Sequence, residues 1–127
     1  MNRASEKPSD LQPSCGETDA AHRPAAALTR VAASDAVLAR AAAMLRAAGE
    51  PSRLRLLDLL AGGERCVTEI AAATGDAMPT VSQRLQVLRR DGLLSTRRDG
   101  KHVYYAVADQ HVLDLIANIL RHAEEQA

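Results

Sequence analysis

Residues 66–92 read CVTEIAAATGDAMPTVSQRLQVLRRDG, and the spacing of their apolar positions decides the fold. A short helical pattern starts at Cys66 and stops at Gly75, glycine being the residue that best accepts a left-handed backbone at a helix end. After a tight turn a second pattern runs from Pro79 to Arg90, with Val81, Leu85 and Leu88 returning at helical spacing on an inward side. That leaves Thr80, Ser82, Gln83, Arg84 and Gln86 outward. Two short helices joined by a glycine-containing turn form the helix-turn-helix pattern, whose second helix suits the major groove of DNA. Small polar and arginine side chains on that helix can meet base edges and phosphates.

Downstream, LLSTRRDGKHVYYAV (93–107) alternates into two strands around Asp99 and Gly100, a dipeptide that favours hairpin turns. Arg97, Arg98 and Lys101 cluster there. A charged hairpin after a basic helix reads as a wing placed against the DNA backbone, and an ordinary solvated hairpin is the plainer alternative. Upstream, SDAVLARAAAMLRAAG (34–49) opens on a capping serine and closes on glycine, with Val37, Ala41, Met44, Leu45 and Ala48 along one side. This is a first helix, with a face to share with a second copy of the chain. In EPSRLRLLDLLAGG (50–63), Pro51 suits the first helical turn, Gly62 and Gly63 close the end, and Leu54, Leu57 and Leu60 are expected inside. The expected fold is mainly α with a small β-hairpin: a winged helix-turn-helix over residues 34–127, homodimeric through its first and last helices. Residues 1–33, rich in polar residues and with little periodicity, read as a flexible arm.

The last helix, DQHVLDLIANILRHAEE (109–125), buries Val112, Leu113, Ile116, Ile119 and Leu120 and carries Asp109, His111, His122 and Glu125 around that face. The two histidines are three turns apart, so they point the same way but stand roughly 16 Å apart along the axis. A zinc–imidazole bond is only about 2 Å long, so one helix cannot bring both histidines to one ion. An antiparallel second copy brings the Asp109 and His111 end of one chain to the His122 and Glu125 end of the other, giving two equivalent sites. Two nitrogens and two oxygens suit a tetrahedral, zinc-like ion. Each residue also has a simpler role: Asp109 as a helix N-cap, His122 as a charge favourable to the helix dipole, Glu125 as a solvated tail residue.

Composition narrows the function. At 127 residues, without Phe or Trp, the core must come from Leu, Val, Ile and Ala, which favours packed helices over an aromatic-lined substrate pocket. Formal net charge is zero, but residues 76–107 carry an excess of three positive charges and residues 108–127 an excess of three negative ones. A basic patch fits a nucleic-acid face and an acidic neighbour a cation site, against the plainer reading of a mixed solvated surface. Two cysteines, Cys15 and Cys66, are too few for a disulfide framework. No stretch has transmembrane length or the apolar core of a signal peptide, so a cytoplasmic protein with free thiols is expected. No phosphate loop, nucleophile elbow or H-E-x-x-H pattern appears, and four protein ligands leave an ion no open position, so neither an enzyme nor a small-molecule substrate is expected.

The run from PSRLRLLDLL through CVTEIA, VSQRLQVLRRDGLL and RRDGKHVYY to the D-x-H and H-x-x-E of the last helix resembles the ArsR/SmtB family of metal-sensing winged-helix repressors, over about residues 34–126. The resemblance implies a homodimer that binds operator DNA without metal and releases it when metal binds. It also implies a regulatory zinc site of Asp109 and His111 with His122 and Glu125 from the partner chain. In relatives the ring matching His122 bonds a backbone carbonyl near the end of the recognition helix, around Gly92 here; the expected switch is a tether that alters the spacing of the two recognition helices. A second metal or redox site is suggested by Cys66 and Glu69 with Cys15 from the partner's arm. Thr68 stands where soft-metal sensors carry another cysteine, and His22 follows Cys15 at a spacing unlike that of the zinc sensors. A buried structural role for Cys66 is the alternative. Gln83 in place of a frequent His, and Pro79 in the recognition helix, imply a different operator. The rival function is a winged-helix repressor sensing nickel or cobalt, or thiol oxidation through Cys15 and Cys66.

Overall fold

A computed structural model describes residues 32–127, and Ser34–Ala127 form one compact unit. The expected N-terminal arm, with Cys15 and His22, falls outside the described residues up to residue 31. In chain order the elements are α1 (Asp35–Ala48), α2 (Pro51–Leu60), β1 (Arg65–Cys66), α3 (Val67–Thr74), α4 (Met78–Arg90), β2 (Leu94–Asp99), β3 (His102–Val107) and α5 (Gln110–Gln126).

Local chemistry sets most of these boundaries. Ser34 Oγ accepts from the Val37 amide at 3.2 Å to start α1, and Glu50 accepts from the Arg53 amide at 3.1 Å to start α2, with Pro51 in its first turn. Arg53 also reaches back, its Nε donating to the Ala47 carbonyl at 2.7 Å, and so fixes the α1–α2 corner. Gly75 ends α3 with φ of 78°, the left-handed conformation a side chain would strain. Its amide donates to Ala71 O at 2.8 Å. The turn to α4 is then only Gly75, Asp76 and Ala77.

The core is built where the periodicity put it. Val81, Leu85 and Leu88 of α4 are fully buried, together with Leu57 of α2 and Ile70 of α3. Leu56, Leu60, Leu93, Leu94, Tyr105 and Ile116 complete the cluster, while Leu54 packs against it partly exposed. α4 therefore lies with one stripe locked into α2, α3 and the sheet, and its opposite face turned to solvent.

Three sequence expectations change. The sheet is three-stranded in the order β1-β3-β2, because Arg65 and Cys66 pair with Tyr105 and Tyr104; two residues are too short a strand to leave a periodic signal. The hairpin turn is Gly100–Lys101 rather than Asp99–Gly100: Asp99 pairs with His102, and Gly100 takes φ of 63°. The apolar stripes of the outer helices are also not closed among the described residues. On α1, Val37 and Leu45 are 54% and 59% exposed and Ala41 is exposed too, while the buried side runs through Ala47 and Ala48. On α5 only Ile116 is buried, and Ile119 is 50% exposed beside the exposed Leu115. Among the described residues, five of the six large exposed apolar side chains lie on these two helices, Met78 being the other.

Leu85→Ala is expected to cost about 2–5 kcal/mol, since the side chain is enclosed on all sides. Urea unfolding at matched protein concentration measures this, and a cost within ±0.5 kcal/mol, the usual range for a surface site, would contradict the packing described.

Candidate functional site

The outward face of α4 presents Thr80 and Gln83 to solvent, with Ser82 and Arg84 half-buried beside them. This is the face that opposes the buried stripe, so its direction follows from the core. Two of its polar residues already have partners. Arg84 Nη1 lies 2.9 Å from Asp76 Oδ2, which joins the recognition helix to the turn that precedes it. Gln86 Nε2 donates to the Tyr105 hydroxyl at 3.1 Å, so Gln86 braces α4 against β3 rather than standing free as the sequence suggested.

The wing cations differ among themselves. The Arg97 guanidinium donates to the Glu64 carboxylate through Nε, at 3.1 and 3.2 Å, and through Nη2, at 2.8 Å. It also lies 4.7 Å from the centroid of the Tyr104 ring. The pairing holds the Glu64 carboxyl below its ordinary range and raises the guanidinium further still. Arg98 and Lys101 are exposed and make no side-chain hydrogen bond or ion pair among the described residues. Glu64 and Asp76 were not singled out as site residues from the sequence. No local signal marks Glu64, which stands 33 positions from Arg97 and meets it only through the strand register.

The metal-ligand candidates sit at the two ends of α5. Asp109 is its N-cap, accepting from the Val112 amide at 3.1 Å, and His111 Nδ1 lies 3.2 Å from Asp109 Oδ1. Both side chains are largely open to solvent, His111 at 94%. His122 and Glu125 are exposed near the other end, and the His122 ring makes no hydrogen bond among the described residues, the Gly92 carbonyl included. No three metal-ligating side chains converge among the described residues. One chain thus carries two exposed half-sets, each of one imidazole and one carboxylate, a donor chemistry suited to a zinc-like ion.

Cys66 and Glu69 form a different unit. Cys66 is the N-cap of α3, and the Glu69 carboxylate accepts from its amide at 2.9 Å. That bond, aided by the thiol, holds the Glu69 carboxyl below its ordinary value. The pair is a capping box that starts the first helix of the helix-turn-helix. Cys66 is half-buried, neither enclosed nor fully open.

Helices α3 and α4 with the β2–β3 hairpin define a winged helix-turn-helix, a DNA-binding class of fold. Residues 50–96 match the model of the bacterial regulatory protein arsR family. A transcriptional repressor SmtB homolog from Synechocystis is 43% identical over 79 residues, 62% of this chain and 60% of that protein. The HTH-type transcriptional regulator NmtR of Mycobacterium tuberculosis is 38% identical over 103 residues, 81% of this chain and 82% of NmtR. Among solved structures, the homodimeric winged helix-turn-helix DNA-binding domain from Mycobacterium bovis superposes with a TM-score of 0.69 at 40% identity, covering 76% of this chain and 92% of that one. The chain belongs to the ArsR family of transcriptional regulators and not to a family of enzymes. The match spans less than two thirds of the Synechocystis relative's length. No helix among the described residues is long and apolar enough to cross a membrane.

The capping bond to Val112, then the contact with His111, holds the Asp109 carboxyl below the ordinary aspartate value of 3.8. With a depressed folded-state pKa, the cap's contribution is complete above the unfolded value and lost as pH falls through the lower folded one. Amides in the first turn of α5 are therefore expected to lose exchange protection below about pH 4. Asp109→Asn keeps a capping oxygen that does not titrate, so its α5 protection should stay flat over that range; identical acid profiles would show that the cap does not depend on the carboxylate.

Proposed function

We propose that this chain is a zinc-responsive transcriptional repressor that acts in the cytoplasm as a homodimer joined through α1 and α5. The observation that carries the reading is the arrangement of α5. Its exposed Leu115 and Ile119 leave an apolar stripe without cover, and the Asp109–His111 and His122–Glu125 half-sets flank that stripe at opposite ends. A second copy packed antiparallel covers the stripe and completes both sites at once, as two-fold symmetry requires. The exposed apolar side chains of α1 supply the rest of the interface.

In the metal-free dimer, two α4 helices face successive major grooves of operator DNA. Thr80, Ser82, Gln83 and Arg84 meet base edges and phosphates there, and Arg98 and Lys101 extend from the wings to the backbone. Asp109 and His111 of one chain with His122 and Glu125 of the other would hold zinc, which would supply a link between the two α5 helices. His122, held in this way, would offer its second ring nitrogen to the carbonyl at the end of α4, near Gly92. Such a hydrogen bond would tie α5 to the recognition helix and favour a spacing of the two α4 helices that does not match the operator. Family resemblance and donor chemistry support zinc. Cys66 and Glu69, engaged with each other in the capping box, are assigned to folding.

Fluorescence anisotropy of a labelled duplex from upstream of the protein's own gene tests this, at fixed salt because phosphate contacts make affinity strongly salt-dependent. Binding should be tight with chelator present and at least tenfold weaker with zinc, a coupling of about 1.4 kcal/mol or more. His122→Ala and Asp109→Asn should bind as tightly as the parent and ignore zinc. Release that survives both substitutions, or that follows nickel, cobalt or thiol oxidation instead, would overturn the zinc assignment. Binding indifferent to every metal would overturn the sensor role.

A further inference from the structure

The hairpin has third-strand support only at its two middle rungs. β1 pairs with Tyr104 and Tyr105 alone, so Arg97, Tyr104 and Cys66 occupy the last rung that crosses all three strands. Beyond that rung Arg98 faces Val103 and Asp99 faces His102 in a two-stranded tip. An isolated two-stranded ribbon is marginal in water, so whatever fixes its last supported rung fixes the tip. Arg97 sits there. From β2, at one edge of the sheet, its guanidinium lies against the Tyr104 ring on the central strand and bonds Glu64, the residue immediately before β1 at the other edge.

We propose that Arg97 is a positioning residue that clasps the wing to the segment entering β1, and that the wing's phosphate contacts fall to Arg98 and Lys101. The inference rests on the DNA-binding reading above and departs from the equal treatment of three wing cations that the sequence invites. For Arg97 to take a phosphate it must give up two charge-assisted donations to one carboxylate, a bidentate geometry among the strongest available to arginine. Lys101, in the turn, has no such partner among the described residues. An exposed ion pair is ordinarily weak. This one is forked on its partner and lies over an aromatic face, and it acts on a ribbon with little else to hold it.

Two measurements on the full chain test the clasp. In hydrogen exchange without DNA, amides of residues 97–104 should exchange several-fold faster in Glu64→Gln and in Arg97→Ala alike, and the double variant should be no faster than either, because both substitutions remove one interaction. Helix amides should keep parental protection, which separates a loosened wing from a misfolded chain. In salt titrations on a labelled duplex of arbitrary sequence, Arg97→Ala should weaken binding yet keep the parental slope of log affinity against log salt. Lys101→Ala should lower that slope by about 0.9 for each wing engaged. Unchanged wing exchange in Glu64→Gln, or a slope lost in Arg97→Ala, overturns the assignment. If the parent binds no duplex, the DNA-binding reading fails, while the exchange data still decide whether Glu64 and Arg97 hold the wing.

Discussion

Burial of Val81, Leu85 and Leu88 is the constraint on which the rest of the molecule depends. These side chains fill the space between α2, α3 and the sheet, and a helix that buries one stripe so completely has no freedom to rotate. The residues opposite are thereby aimed outward as a rigid set. Precision on that face comes from the core, because the exposed residues contribute little to holding their own helix in place. With no Phe or Trp available, leucine, valine and isoleucine supply most of that core, and Tyr105 is its only buried aromatic ring. Its hydroxyl accepts from Gln86, so the wing's central strand and the recognition helix are braced together.

The described unit encloses α2, α3 and α4 and leaves α1 and α5 half-covered, and these faces are the surface that the proposed second copy would cover. Both candidate ligand half-sets border the stripe left open on α5. Covering apolar surface and assembling a metal site become one event under this arrangement, which is a physical reason for a regulatory ion to lie at such an interface.

The helices, their caps and the hairpin were legible because each is encoded within a few residues: Ser34, Pro51, Gly75 and Asp109 all mark boundaries the structure keeps. Strand β1 was not legible, since its two residues become a strand only through Tyr104 and Tyr105. The Glu64–Arg97, Asp76–Arg84 and Gln86–Tyr105 pairs were equally hidden, because counting charges does not say which carboxylate an arginine will meet. Cys66 and Glu69 show the opposite hazard. Their three-residue spacing reads as half of a metal site and serves equally well as a capping box, and the capping bond is formed in the folded chain. Asp109 has the same double character, since its single carboxylate caps α5 and stands beside His111.

The carboxylate partners of the arginines bear on how selective such a surface can be. Arg84 rests on Asp76, so under the proposed function a phosphate or guanine edge would have to replace an existing ion pair. That pair is partly solvent-exposed, which keeps the exchange nearly balanced in free energy. Near balance favours discrimination: a cation with no internal partner gains from any phosphate, whereas Arg84 gains only where the geometry at the groove exceeds what Asp76 already offers. Under the proposed function, Lys101 and Arg98 would supply attraction that is indifferent to sequence, and the half-buried Arg84, fixed by the same helix that carries Thr80, Ser82 and Gln83, would contribute a preference.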